Sequence, residues 1–114
     1  MSQLRDKDDG CKWDKEQTFR SLAPYTIEEA YEVADAIERE DISDLKEELG
    51  DLLLQVVFLS QIAKEEELFS FDDVAKTISE KLVRRHPFVF SDKKNHSLDE
   101  QINQWEEIKQ RERS

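Results

Sequence analysis

Apolar and charged positions along this chain follow the period of an α-helix. In the segment 27–37, apolar residues occupy one side of a helical projection and acidic residues occupy the other. Thr26 is a suitable N-cap, with Glu29 as its capping-box partner, and Pro24 lies just upstream. The pattern therefore predicts a two-faced first helix from about Thr26 to about Glu40.

The next segment is apolar on nearly all sides. Asp41 or Ser43 can cap a second helix there, and its pattern continues to about Glu67. A narrow polar stripe follows an i, i+4, i+7, i+11 spacing, and its members are Asp44, Glu48, Asp51 and Gln55. This pattern is typical of a buried helix rather than a surface helix.

Two further helices are predicted in the second half of the chain. Ser70 opens a third helix, which Pro87 stops. An irregular stretch follows over residues 88–96. Ser97 then begins a capping box for a last helix, Leu98 to about Arg113. Strand alternation is absent from the sequence, so the predicted class is all-α.

The turn between the first two predicted helices is short. A turn between Glu40 and Ser43 forces these helices into an antiparallel hairpin. The hairpin brings the two acidic faces together if both are rotated toward the shared interface. In the alternative arrangement, the acids of the first helix are solvated, and Glu48 and Asp51 pair with arginine or lysine.

Converging carboxylates need compensation. At roughly 5 Å and an effective dielectric near 20, each unneutralised pair costs on the order of 3 kcal/mol, so several pairs would rival the stability of a domain. Protonation, basic side chains or divalent cations could supply the compensation. An all-oxygen cluster without nearby His or Cys suits Mg²⁺, with Mn²⁺ as an alternative.

Composition narrows the classes of function. The 114 residues predict one domain over 1–114, and a formal net charge of -11 argues against nucleic acid and anionic membranes as partners. The single cysteine, Cys11, cannot form an internal disulfide, and no apolar signal or spanning segment is present. We therefore expect a cytoplasmic protein. Because a nearly all-apolar helix needs much cover, we also expect a homo-oligomer rather than a monomer.

At the acidic residues the chain resembles the MazG-type nucleoside triphosphate pyrophosphohydrolases. The family pattern E-E-x-x-E followed by E-x-x-D is present as Glu28, Glu29, Glu32, Glu48 and Asp51. Further segments also look like the family: residues 13–18, 22–26, 48–53 and 84–87. The resemblance covers almost the whole chain, and the ordered set is more specific than either acidic pattern alone.

The resemblance implies a fold, a metal and a reaction. The implied fold is a four-helix bundle that associates as a dimer or a dimer of dimers. The implied reaction is Mg²⁺-dependent hydrolysis of a nucleoside triphosphate to a monophosphate and pyrophosphate, as a housecleaning activity. The implied metal ligands are Glu29, Glu32, Glu48 and Asp51. Glu28 is an acidic neighbour for a water or a second ion, and Glu28, Glu29 and Glu32 are the catalytic candidates.

Basic and aromatic residues are candidates for holding the nucleotide. Lys81 and Arg85 are i, i+4 on the third helix, so they project together, and they resemble the family's phosphate-binding pair. In the alternative, they form salt bridges with acidic neighbours on the surface. Lys12 and Lys15 beside Trp13 could hold ribose, base or phosphate. In the alternative, Trp13 is a packing anchor for the N-terminal segment.

The residues in these matching segments are most similar to the first of the two domains found in longer family members. In such proteins the second domain can carry the catalysis while the first is structural or regulatory. A catalytically weak nucleotide-binding or dimerisation domain of a larger protein is therefore the alternative hypothesis. All five acidic motif residues are present, which favours metal binding.

Overall fold

In a computed structural model that describes residues 1–90 and 97–113, every regular element is a helix. The helices are α1 (Lys12–Glu16), α2 (Phe19–Glu38), α3 (Ile42–Glu65), α4 (Phe71–Arg85), α5 (Pro87–Phe90) and α6 (Leu98–Arg113). The all-α prediction is confirmed. The chain divides into two compact units, Met1–Phe71 and Asp72–Ser114. The single-domain assignment over 1–114 stays a prediction.

The predicted start of the first long helix was wrong. Thr18, not Thr26, caps α2: its hydroxyl accepts the backbone N–H of Ser21, and the Ser21 hydroxyl accepts the N–H of Thr18. The Thr26 hydroxyl instead donates to the Leu22 carbonyl, a contact made inside a helix. Pro24 therefore lies within the helix rather than upstream of it. The sequence signal was the Thr18-x-x-Ser21 box.

The predicted antiparallel hairpin is formed by α2 and α3. Asp41 caps α3 by accepting the N–H of Asp44, so the structure selects it over Ser43. Three contacts join the two helices, and their positions rise along α2 as they fall along α3, as in an antiparallel pair. These contacts are Leu22 with Phe58, Thr26 with Gln55, and Arg39 with Asp44. This ordering fixes which residues of α2 and α3 face each other.

The C-terminal ends of α2 and α3 have the same backbone motif. At the end of α2, Glu40 has φ 56°, its N–H donates to Ile37, and the Asp41 N–H donates to Ala36. At the end of α3, Glu67 has φ 59° and the same pair of hydrogen bonds follows. These are Schellman motifs with glutamate at a position where glycine is favoured. The left-handed conformation strains a residue that carries a Cβ.

Glu40→Gly is therefore expected to stabilise the protein by about 0.5–1 kcal/mol, because glycine adopts this φ without a Cβ penalty. Urea unfolding followed by circular dichroism measures the change. Glu47→Gly is the matched control, since it makes the same substitution at an exposed interior position of α3. It is expected to destabilise by about 1 kcal/mol. A loss of stability in Glu40→Gly would contradict the role of strain at this turn.

The core of the first unit is small. Leu22, Phe58 and Ile62 are buried against each other, with Met1 and Leu59 packed on them. Ala36 and Ala63 are also fully buried. The cluster of Leu22, Phe58 and Ile62 lies at the end of the hairpin where α2 begins and α3 finishes, whereas Ala36 is buried near the turn at the opposite end.

In the second unit, α4 ends before Pro87 and α6 spans Leu98–Arg113, both as predicted. The Ser97 hydroxyl accepts the N–H of Glu100, which confirms the predicted cap. The irregular stretch was predicted to begin at residue 88, but Pro87–Phe90 forms one helical turn, with proline at its first position. The remainder of that stretch, 91–96, lies outside the described residues.

The prediction that α3 is buried on nearly all sides does not hold within this chain. Ile42, Leu49, Leu53 and Val56 are 74%, 48%, 55% and 37% exposed. At about 100° per residue these four residues fall within about 60° of one another, so they form one apolar stripe on α3. Among the described helices, none is both long enough and apolar enough to traverse a lipid bilayer.

Candidate metal centre

Acidic residues of α2 and α3 face each other across the middle of the hairpin. Oxygen atoms from the carboxylates of Glu29, Glu48 and Asp51 all lie within 4.8 Å of one another. Glu29 is one turn beyond Thr26 on α2, and Asp51 is one turn before Gln55 on α3. The Thr26 hydroxyl lies 3.1 Å from Gln55 Oε1. This polar contact separates the apolar core from the three carboxylates, which we call the acidic cluster.

One oxygen of the cluster is left without a donor. Glu29 Oε2 is buried and has no hydrogen-bond partner among the described residues. A buried carboxylate oxygen that receives neither a proton nor a positive charge is costly. Glu29 therefore has an unsatisfied carboxylate oxygen, and the charged groups that act on Glu29 are themselves acids.

The electrostatics of the cluster are unfavourable for full ionisation. Burial raises the pKa of Glu29, and the negative charges of Asp51, Glu28 and Glu32 raise it further. Burial also raises the pKa of Glu48, with added contributions from Asp44 and Glu29. Ionised together, these carboxylates repel, so a proton or a cation must compensate them.

The donor set fits a hard divalent cation. All the converging atoms are carboxylate oxygens, which Mg²⁺ and Mn²⁺ prefer, and no arginine or lysine neutralises Glu29 Oε2 among the described residues. The alternative in which Glu48 and Asp51 pair with basic side chains finds no such ion pair in the described part of the chain. The carboxylates of Glu29, Glu48 and Asp51 can therefore serve as ligands of an ion.

Two predicted members stand at the edge of the cluster. Glu28 and Glu32 are exposed on α2 and lie outside the group within 4.8 Å. Both still act on it electrostatically, because the charges of Glu28 and Glu32 raise the pKa of Glu29. Asp44 belongs to the same predicted stripe, but its side chain pairs with Arg39 at the turn.

The raised pKa values predict how the stability of the metal-free protein depends on pH. From the ordinary value of 4.5 up to the raised pKa of Glu29 and Glu48, the folded protein binds more protons than the unfolded chain. The free energy of unfolding contributed by these groups is therefore lost as pH rises through that window. The free energy of unfolding of the Glu48→Gln variant should therefore decline less steeply with rising pH than that of the wild type, as measured by urea unfolding with a chelator present. Equal slopes would contradict the assignment.

The predicted basic residues of α4 belong to the second unit. Lys81 is half-buried. Arg85 forms an ion pair with Glu112 of α6, with Nη2 2.9 Å and Nε 3.1 Å from Oε1. Arg84 shares the same carboxylate at 2.8 Å. The ion pair that the sequence left open as an alternative is thus present at Arg85.

Trp13 is placed as a packing residue. Its ring makes edge contacts with Tyr25 at 5.7 Å and with the buried Phe58 at 6.2 Å, yet the residue is 47% exposed. The Arg5 guanidinium lies over the Phe58 ring, and its Nε forms an ion pair with Glu65 Oε2 at 2.7 Å. Through Arg5 and Trp13, the N-terminal segment therefore packs against α2 and α3.

The two neighbouring lysines differ in their contacts. Lys15 Nζ donates to the Lys7 carbonyl at 3.1 Å, so it is engaged within the N-terminal segment. Lys12 is exposed. Neither lysine is brought to the acidic cluster by a contact that the structure shows.

The family model described as "MazG nucleotide pyrophosphohydrolase domain" matches residues 17–90, about two thirds of this chain. This chain belongs to the MazG family. The matched range contains the acidic cluster together with Lys81 and Arg85, and it begins after Lys12, Trp13 and Lys15. The resemblance stated from the sequence motifs is confirmed.

Individual relatives support the MazG assignment. The nucleoside triphosphate pyrophosphohydrolase of Escherichia coli (strain K12) is 57% identical over 114 residues, covering 100% of this chain and 43% of that protein. The nucleoside triphosphate pyrophosphohydrolase/pyrophosphatase MazG of Thermotoga maritima is 50% identical over 113 residues, covering 99% and 42%. This chain therefore spans less than half the length of these two relatives.

A solved structure supports the MazG fold. The crystal structure of a mazG-related protein from Thermotoga maritima is similar with a TM-score of 0.73 and 27% identity, covering 88% of this chain and 87% of that chain. The similarity extends over nearly all of both chains, so the helical order of this protein is that of a MazG-related fold.

Sequence reasoning missed two features of this MazG chain. Thr26 was taken for a helix cap, whereas it links α2 to α3 through Gln55 beside the acidic cluster. Glu112, which joins both arginines of α4, was not singled out. The position of Gln55 on the polar stripe of α3 could have indicated the contact between Thr26 and Gln55. No local pattern indicates the second.

Proposed function

We propose that this protein catalyses the Mg²⁺-dependent hydrolysis of nucleoside triphosphates to nucleoside monophosphates and pyrophosphate. The observation that carries the proposal is the acidic cluster with its buried, partnerless Glu29 Oε2. Membership of the MazG family and the names of the relatives support the same reaction. The removal of unwanted nucleotides is the role we propose for it in the cytoplasm.

Glu29, Glu32, Glu48 and Asp51 are the proposed metal ligands. Mg²⁺ held by these residues would offset the negative charge of the carboxylates and of the phosphates, and it would make the α-phosphorus more electrophilic. Mn²⁺ has similar ligand preferences and is the proposed substitute. Glu32 is exposed on α2 and lies outside the close group, and its place in this set follows from the family motif; its charge also raises the pKa of Glu29 and of Glu48.

The chain's own residues would handle the proton. The attacking water must lose a proton, and a carboxylate can accept it if it lies within hydrogen-bond reach. Glu28 is exposed beside Glu29 and lies outside the close group, so it is free of the crowding there. We assign Glu28 to hold that water, with Glu29 and Glu32 as the other catalytic carboxylates.

Lys81 and Arg85 are the proposed phosphate ligands. A triphosphate carries about four negative charges, which an acidic site cannot bind without cationic groups. Lys12, Lys15 and Trp13 are proposed to contact the nucleoside or its phosphates. The exposed part of the Trp13 ring remains available for stacking while its edge contacts persist.

Pyrophosphate release from a panel of nucleoside triphosphates tests the proposal. With Mg²⁺, the reaction should yield monophosphate and pyrophosphate in equal amounts, and a chelator should stop it. Mn²⁺ should restore it. Metal-dependent nucleotide binding without product would instead support a nucleotide-binding or dimerisation domain. No binding and no product would contradict both hypotheses.

We also propose that the protein is a homo-oligomer, either a dimer or a dimer of dimers. The apolar stripe of α3 exposes four large side chains, which a second copy would cover. The four-helix-bundle architecture implied by the family resemblance stays a prediction.

Leu53→Glu is expected to shift the oligomer to monomer at micromolar concentration, because it places a charge in the middle of the apolar stripe. Sedimentation velocity gives the mass of the species. Leu68→Glu, at an exposed leucine outside α3, is the matched control and should leave the mass unchanged. A wild type that sediments as a monomer would refute the proposed assembly.

A further inference from the structure

Glu112 of α6 joins two consecutive arginines of α4. Its Oε2 lies 2.8 Å from Arg84 Nε and 2.8 Å from Arg84 Nη2. Its Oε1 lies 3.1 Å from Arg85 Nε and 2.9 Å from Arg85 Nη2. Each carboxylate oxygen therefore contacts Nε and Nη2 of one guanidinium. Both contacts are hydrogen bonds at Arg85, whereas at Arg84 the hydrogen bond is made by Nε.

This geometry leaves the end of each guanidinium unused by Glu112. A guanidinium has five N–H groups, and a contact through Nε and Nη2 engages two of them. The Nη1 group and the second Nη2 hydrogen of Arg84 and Arg85 point away from that edge. The end edge of a guanidinium can bind two oxygens of one phosphate side by side.

The charge of the group favours an anionic ligand. Two arginines and one glutamate carry a net charge of one positive unit, in a chain with a formal net charge of -11. Both arginines keep Glu112 ionised, since their hydrogen bonds lower the pKa of its carboxyl, with Arg85 contributing most. The side chains of Glu112 and Arg85 are 23% and 25% exposed, whereas that of Arg84 is 50% exposed.

We propose that Glu112 is a positioning residue that fixes Arg84 and Arg85 as a paired binding site for the phosphates of the nucleotide. This rests on the proposed function, which assigns phosphate binding to Arg85, and it adds Arg84 as a second ligand. An arginine side chain loses much rotational freedom when it binds a ligand. Because Glu112 already restrains both side chains, less freedom is lost on binding.

The alternative is that Glu112 competes with phosphate for the arginines. The two roles make opposite predictions for Glu112→Gln, which removes the charge but keeps the shape. A positioning role predicts a KM for nucleotide raised about tenfold with kcat within about twofold, since ground-state binding is lost. Competition predicts a lower KM, because the net positive charge increases.

Glu107→Gln is the matched control. Glu107 is an exposed glutamate on the same helix, and the substitution makes the same change of charge. It is expected to leave KM and kcat unchanged. A double variant tests whether Glu112 acts through the arginine: in an Arg85→Gln background, Glu112→Gln should raise KM by clearly less than it does alone.

Arg84→Lys keeps the positive charge at residue 84 but removes the planar guanidinium with its paired N–H groups. It is expected to raise KM several-fold, because an ammonium cannot contact Glu112 and a phosphate in the same side-and-end manner. This variant also keeps the inference testable if Glu112→Gln does not fold. An unchanged KM in Arg84→Lys would remove Arg84 from the binding site.

Inorganic pyrophosphate separates failure of this inference from failure of the proposed function. Its dissociation constant, measured by titration calorimetry with Mg²⁺, should increase about tenfold in Glu112→Gln and stay constant in Glu107→Gln. If the wild type releases no pyrophosphate from any triphosphate, the proposed reaction fails while this binding result still decides the inference. Equal or tighter pyrophosphate binding by Glu112→Gln would overturn it.

Discussion

Replacing Glu48 by glutamine is expected to reduce nucleotide hydrolysis at least about a hundredfold, which is a loss of about 3 kcal/mol of transition-state stabilisation. Asp51→Asn should have an effect of similar size. Both residues lie with Glu29 in the acidic cluster, and an amide supplies neither the charge nor the second lone-pair-bearing oxygen of a carboxylate. Steady-state pyrophosphate release at saturating Mg²⁺ measures the loss.

The same substitutions should leave the fold intact or make it more stable. Burial and neighbouring acids raise the pKa of Glu48, so removing its charge relieves repulsion in the metal-free protein. Glu47→Gln, at the adjacent exposed position, should retain both activity and stability. Inactivity accompanied by unfolding would instead assign Glu48 and Asp51 a structural role.

The largest expected effect on stability comes from Leu22→Ala, which should destabilise the protein by about 3 kcal/mol. Leu22 is fully buried and packs with Phe58 and Ile62, which are 2% and 4% exposed. The substitution removes buried methyl groups and leaves a cavity in a core with few other large members. Urea unfolding measured by circular dichroism gives the difference.

Leu68→Ala makes the same chemical change at a leucine that is 61% exposed. It should alter the free energy of unfolding by less than about 0.5 kcal/mol. A Leu22→Ala variant no less stable than Leu68→Ala would show that the hairpin core is held by something other than this contact.

Helical periodicity predicted the number and order of the long helices because each one carries a clear start or stop signal. Asp41, Pro87 and Ser97 mark boundaries that the structure reproduces within about two residues. The start of α2 was misplaced because two capping boxes compete in the sequence. Thr26-x-x-Glu29 looks the stronger of the two, but tertiary structure uses both residues between the helices.

The convergence of Glu29, Glu48 and Asp51 could be predicted because it needs only two helical faces and a short turn. Helical spacing places Glu48 and Asp51 on one stripe, and the hairpin places Glu29 opposite. Glu32 satisfied the same spacing but lies outside the close group. Small rotations of a helix decide such differences, and residue spacing does not record them.

The partners of the basic residues could not be read from the sequence. Glu112 contacts Arg85 across 27 positions of the chain, and no periodic pattern links them. The sequence analysis expected α3 to need more cover than its own chain supplies, but it could not identify which side of the helix stays exposed. An apolar helix looks the same in sequence whether its cover comes from its own chain or from a second copy.

The central claim is that the acidic cluster holds a divalent cation. A crystal of the protein soaked in Mn²⁺, with data collected at the manganese absorption edge, tests it most directly. The account predicts an anomalous peak about 2.2 Å from carboxylate oxygens of Glu29, Glu48 and Asp51, which the Glu48→Gln protein lacks. A Mn²⁺ peak elsewhere on the chain, or none at saturating Mn²⁺, would contradict the account.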